Sequence, residues 1–127
     1  MFDTRKEITE ALKYKGVHPQ FFQGMAPPKI VYPKFTYKDA ISGSKIIIVA
    51  STSGRFDEII DNVCKYASCE LDLVIATKGF SHETAELLPV AARKKIDKAK
   101  LPFDIHISVL SGANLASEVI RGEICST

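Results

Sequence analysis

Three short apolar runs constrain this chain more than any other feature. They are K-I-I-I-V-A at 45–50, L-D-L-V-I-A at 71–76 and the stretch I-H-I-S-V-L at 105–110. Each is too short for a helix and rich in β-branched residues, so each reads as a buried strand. Between the first two, Phe56, Ile59, Ile60, Val63, Cys64 and Ala67 fall on the i, i+3, i+4, i+7, i+8, i+11 stripe of one amphipathic helix. Between the second and third, a helix is predicted from about His82 to Lys98, with Pro89 interrupting it or marking a second start. Strands that are apolar on both faces and alternate with helices predict an α/β fold. The expected architecture is a parallel sheet with helices on both faces.

Right-handed crossovers place the carboxyl ends of all three strands on one edge. Each strand stops there in small, polar, glycine-bearing residues: S-T-S-G at 51–54, T-K-G-F at 77–80 and S-G-A-N at 111–114. Open α/β sheets bind ligands outside these ends. Lys78 is the most informative residue of the three turns. An ammonium directly after a buried strand can bond a carbonyl, hydroxyl or phosphate oxygen, and it equally suits a snorkelling surface lysine. Asn114 suits a ligand oxygen or a helix cap. The hydroxyls of Ser51 to Gly54 suit a phosphate, as in a flavodoxin-like FMN loop, or plain capping by a residue such as Ser53.

The rest of the chain is less patterned. A short helix is expected from about Thr4 to Lys15, irregular chain over 16–28, a short strand over Lys29–Tyr32 and a helical turn over Tyr37–Ile41. A last helix is expected over 114–121. A net charge of +2 with dispersed basic residues gives no nucleic-acid footprint. Three cysteines, 64, 69 and 125, form no C-x-x-C pair and no disulfide framework, and with no apolar leader segment the expectation is a reduced, cytoplasmic, non-membrane protein. His18, His82 and His106 lack metal spacing. No two of the seven glycines stand close enough for G-x-G, so the chain carries neither a dinucleotide fingerprint nor a P-loop.

L-V-I-A-T-K-G-F followed by I-S-V-L-S-G-A-N-L-A-S-E-V resembles the family of NAD-dependent glycerol-3-phosphate dehydrogenases. In that family a strand ends in Lys-Gly, and a later strand ends in S-G-[AP]-N-x-A-x-E, matched here from Ser111 to Glu118. The segment E-I-T-E-A-L-K-Y-K-G-V-H-P-Q-F-F-Q-G-M-A-P-P-K-I and the later D-A-I-S-G-S-K-I-I-I-V-A are similar to the family's preceding stretch. The resemblance thus covers essentially the whole chain. It implies a partial, Rossmann-like dinucleotide-binding domain over 1–127, without the first β-α-β unit and without the helical C-terminal domain. The family reaction moves a hydride between NAD(H) and dihydroxyacetone phosphate or glycerol 3-phosphate.

By position, the resemblance implies that Lys78 bonds the substrate oxygen and that Asn114 lies in the shared crevice. Ala116 would touch NAD, and Phe2 matches an aromatic beside the adenosine end. Thr52 and Arg55 stand where the family usually has a proline and an aromatic or alkyl residue; that departure removes the family's apolar packing against the cofactor, and Arg55 is a cofactor candidate by position alone. No catalytic residue is expected within the chain, because the family's proton-transfer lysine belongs to the C-terminal domain. The implied partners are the two small phosphate esters in the full-length enzyme, with a second copy of the chain as a further candidate. Two other readings stay open: a flavodoxin-like FMN or phosphate-binding protein using Ser51–Gly54, and a non-catalytic fragment.

Overall fold

A computed structural model describes residues 1–20, 28–112 and 119. The chain divides into two compact units, Met1–Ala40 and Ile41–Thr127.

In the first unit, α1 (Lys6–Glu10) continues as a π-helical turn over Ala11–Lys15 and stops at Gly16, whose φ of 65° is the left-handed conformation that ends helices. Ile8, Ala11 and Leu12 form its buried stripe. The Arg5 guanidinium holds both oxygens of Asp3 at 3.1 Å and reaches Gln20 Oε1 at 3.0 Å. The strand expected over Lys29–Tyr32 is absent. Residues 29 and 30 form a turn, Ile30 is 80% exposed and Tyr32 70% exposed. Pro28 and Pro33 bracket the segment and supply no ladder donor at either end, and Ile30 and Tyr32 gain no burial that would favour a strand. One parallel bridge, Phe2 with Lys34, stands nearby. The helical turn α2 (Tyr37–Ile41) follows, its start fixed by Thr36 Oγ1, which accepts the Asp39 N–H at 3.1 Å.

The second unit holds the sheet. β1 (Ile46–Val49), β2 (Leu71–Ile75) and β3 (Ile105–Val109) are parallel in the order β1-β2-β3, with Ile47 beside Leu73 and Leu73 beside Ile107. α3 (Ser53–Tyr66) and α4 (Leu88–Ala99) are the crossovers. Stepping across a sheet in one direction with right-handed crossovers puts both helices on the same face. α3 accordingly packs on α4, and α4 on β3. Val49, Leu71, Leu73, Ile75 and Ile105 are buried on that face together with Phe56, Ile60 and Val63 of α3 and Leu88, Ala91, Ala92 and Ile96 of α4. The opposite face is more open. Ile46 and Ile48 are 62% and 63% exposed, and Asp72, His106 and Ser108 share it.

The second crossover departs from the expected helix over 82–98. α4 starts only at Leu88, with Pro89 in its first turn, where a proline loses no hydrogen bond. Before it, Ser81 Oγ accepts the N–H groups of Glu83 and Thr84 at 3.2 and 3.1 Å, closing a separate turn. Ala85 has a φ of 57°, which no helix accommodates.

Candidate functional site

The carboxyl ends of β2 and β3 open into a groove of about 310 Å³ lined by Ile75, Thr77, Lys78, Gly79, Leu87, Leu88, Pro89, Val109, Leu110 and Ser111. Its walls come from the two strand exits and from the first turn of α4. Leu87, Val109 and Leu110 are all about half-exposed, so the groove is apolar on its sides and open to solvent.

Lys78 supplies its cation. Thr77, one residue earlier, is buried and tied to β1: its N–H and hydroxyl both donate to the Val49 carbonyl, at 3.1 and 3.2 Å, and its oxygen accepts the Ser51 N–H at 3.0 Å. That ties the exit of β2 against the exit of β1. Gly79, one residue later, turns the chain with a φ of 116°, a conformation closed to residues with a Cβ. Between these two, the Lys78 ammonium donates to the Gly112 carbonyl at 2.9 Å and so bridges the turns after β2 and β3. It is exposed and keeps two further N–H donors for a ligand oxygen.

The turn after β1 does not behave as a side-chain cap. Thr52 is the N-cap of α3, and neither it nor Ser53 caps the helix with a side-chain bond. Ser53 Oγ instead pairs with His82 Nε2 at 3.2 Å, and Ser51 Oγ donates to the Thr52 carbonyl at 3.1 Å. Capping by Ser53, one of the two roles open from the sequence, is therefore not the role it has. The Ser51 and Ser53 hydroxyls thus have protein partners, which weighs against an FMN loop.

Arg55 does not line this groove, and the remaining predicted site residues belong to the first unit or lie outside the described residues. Arg55 sits in the first turn of α3 and pairs with Glu58 at 2.8 Å. Phe2 belongs to the first unit, where its ring lies 4.5 Å from that of Tyr37. Asn114 and Ala116, with the helix expected over 114–121, lie outside the described residues apart from Val119, which is helical and exposed. Among the described residues no group of three or more His, Cys, Asp or Glu could hold a metal, and no helix is long and apolar enough to cross a membrane. Cys64 and Cys69 are free, and burial pushes the Cys64 thiol up, away from reactivity.

Sequence reasoning missed Asp57. It is buried at 6% exposure on α3, and both its oxygens accept the Ser81 hydroxyl, at 3.0 and 2.9 Å. The His82 N–H adds a third bond at 3.2 Å. The available signal was a carboxylate flanked by Phe56 and Ile60 at the border of the apolar stripe.

Comparison with known proteins places this geometry. The family model for the NAD-dependent glycerol-3-phosphate dehydrogenase N-terminus matches residues 1–127. The chain belongs to that family. Similar curated proteins include the glycerol-3-phosphate dehydrogenase (NAD(P)+) of Chlamydia trachomatis serovar L2, 31% identical over 124 residues, which are 94% of this chain and 34% of the relative. The Pasteurella multocida protein of the same name is 28% identical over 102 residues, 80% of this chain and 29% of the relative. The chain thus spans about a third of the length of these relatives. Among solved structures, a glycerol-3-phosphate dehydrogenase from Coxiella burnetii superposes with a TM-score of 0.82 at 18% identity, over 94% of this chain and 35% of that one. The DsGPDH of Dunaliella salina gives 0.75 at 19% identity, over 96% and 20%. At those identities the two structures establish a shared fold: this dehydrogenase-family chain is a Rossmann-like parallel α/β structure.

Proposed function

We propose that this chain is a partial dinucleotide-binding domain, 1–127, of an oxidoreductase that transfers a hydride between NAD(H) and dihydroxyacetone phosphate or glycerol 3-phosphate. The observation that carries the reading is the Lys78 ammonium bridging two strand exits at the mouth of an apolar-walled groove. A cation at an apolar wall suits a substrate carbonyl or hydroxyl next to a flat ring, because it orients the oxygen and favours negative charge there. The walls of Leu87, Leu88, Pro89, Val109 and Leu110 fit the nicotinamide end of the cofactor and exclude water from one side. NAD(H), when bound, supplies the hydride acceptor or donor. Asn114, Ala116, Phe2 and Arg55 take, in this reading, the roles the resemblance assigns them: Asn114 on the substrate side, the other three along the cofactor.

The pyrophosphate is less well served. The 127 residues contain no closely spaced glycines to seat it at a helix N-terminus. The chain by itself is therefore expected to bind NAD very weakly and to turn over nothing measurable. A backbone-amide NMR titration of the 127-residue chain with NADH and glycerol 3-phosphate tests the site. Shifts should gather on Thr77, Lys78, Gly79, Ser111 and Gly112, and Lys78→Met should abolish those caused by glycerol 3-phosphate. Shifts that avoid this edge, or that survive the substitution intact, overturn the assignment.

A further inference from the structure

Asp57 is a buried carboxylate that the proposed chemistry does not use. It lies on α3, remote in sequence from the groove, yet among the described residues its carboxylate bonds Ser81 and His82, the third and fourth residues after Lys78. A buried charged carboxylate is retained only where its lone pairs are satisfied, and here one hydroxyl and one backbone N–H do so.

What these bonds hold is a closed loop. Phe80 bridges Leu87 in antiparallel fashion, Ser81 N–H donates to the Glu86 carbonyl at 2.8 Å, and Ala85 N–H returns to the Ser81 carbonyl at 2.9 Å. The loop from Phe80 to Leu87 is thus rigid within itself, and it carries Leu87 at one end and Lys78–Gly79 just before the other. Thr77 fixes the strand side of Lys78, and Asp57 fixes the loop side. The Ser53–His82 contact at 3.2 Å adds a weaker second tie from the same helix.

We propose that Asp57 is a positioning residue. By clamping Ser81 and His82 to α3, it sets the place of the Lys78 ammonium and of the Leu87 wall at the groove. The clamp itself is independent of ligand, while its functional meaning rests on the reading of Lys78 given above. Without it the Phe80–Leu87 loop can lift from α3 while the sheet stays paired, because the ladder bonds of β2 end before Lys78.

The test uses the 127-residue chain and acetic anhydride as the probe. Acetylation of each lysine is followed by peptide mass spectrometry, with Lys45 at the far end of β1 as internal reference. In the native chain Lys78 should react slowly, since its ammonium is held by the Gly112 carbonyl. Asp57→Asn should raise the Lys78 rate relative to Lys45 about fivefold, as expected for losing one charge-assisted clamp. Ser81→Ala keeps the carboxylate and the His82 bond but removes the Ser81 hydroxyl from Asp57, Glu83 and Thr84, and should give a rise in the same direction that is at least as large. It decides the matter if the Asn variant does not fold. An unchanged Lys78 ratio in a folded variant overturns the proposal, and so does a uniform rise at all lysines, which would make Asp57 a matter of global stability only. Protection of Lys78 by glycerol 3-phosphate in the native chain is read separately. Its absence would count against the substrate assignment and leave the positioning result standing.

Discussion

Lys78 depends on the glycine that follows it. Gly79 has a φ of 116°, and a Cβ there would sit against Ser53 at 3.6 Å, an ordinary contact, so the penalty for a side chain lies in the backbone and not in crowding. Gly79→Ala should cost about 1–3 kcal/mol of unfolding free energy in urea melts. It should also shift the Lys78 side-chain resonances, whereas a purely local strain would leave them in place. On the opposite edge of the sheet, the Glu70 carboxylate bonds His106 Nε2 at 3.0 Å and, with Asp72 and Asp104 nearby, raises the imidazole pKa above its ordinary 6.5. A raised folded-state value means that the pair stabilises the fold fully below about 6.5 and loses that contribution as pH rises through the folded value. His106 is exposed, so the effect on stability is small. Glu70→Gln should bring the His106 titration, followed by NMR, down towards 6.5; an unmoved titration would show that Glu70 is not the partner in solution.

Between α3 and α4 the packing is apolar at its centre and ionic at its rim. Lys95 of α4 is only 19% exposed and reaches Asp61 of α3 at 2.8 Å and Glu83 of the preceding loop at 2.9 Å. Lys95→Met leaves the stem packed and removes both pairs, so a loss of about 0.5–1 kcal/mol is expected in urea unfolding. At the core, Phe56 is fully buried, and Phe56→Ala should cost about 3–5 kcal/mol. The stripe that placed Phe56, Ile60 and Val63 on one face was legible in the sequence, because helical periodicity records burial directly. The start of α4 was not. His82 to Leu87 have acceptable helix propensity, and tertiary bonds, the Asp57–Ser81 pair and the Phe80–Leu87 bridge among them, together with the left-handed Ala85 hold them outside the helix. In the opposite sense, β-branched Ile30 and Val31 suggested a strand that neighbouring prolines and exposure deny.

The whole molecule exposes apolar surface on the face of the sheet opposite α3 and α4, where Ile46 and Ile48 lie on β1, an edge strand of the described sheet. Such a face and edge favour association with other chains. The 127-residue chain is expected to self-associate in sedimentation velocity, and Ile48→Lys should shift it towards monomer. A chain that sediments as a clean monomer before any substitution would count against this. In the same preparation, NADH oxidation dependent on dihydroxyacetone phosphate should be undetectable, and measurable turnover would show that these residues suffice for catalysis.

By itself the sequence determined the alternation of strand and helix, the parallel sheet, the edge that carries the groove and the family, because each is written in local periodicity and in residues adjacent along the chain. Lys78 could be placed at that edge for the same reason: it directly follows a buried strand. Only the tertiary structure decided that its ammonium meets Gly112, that Ser53 turns to His82 and that Asp57 is buried against Ser81, contacts that join residues 34, 29 and 24 positions apart. Such pairs leave no periodic trace. They form only once the sheet and its helices have packed, and the Asp57–Ser81 bonds alone of the three lie in a dry surrounding that strengthens them.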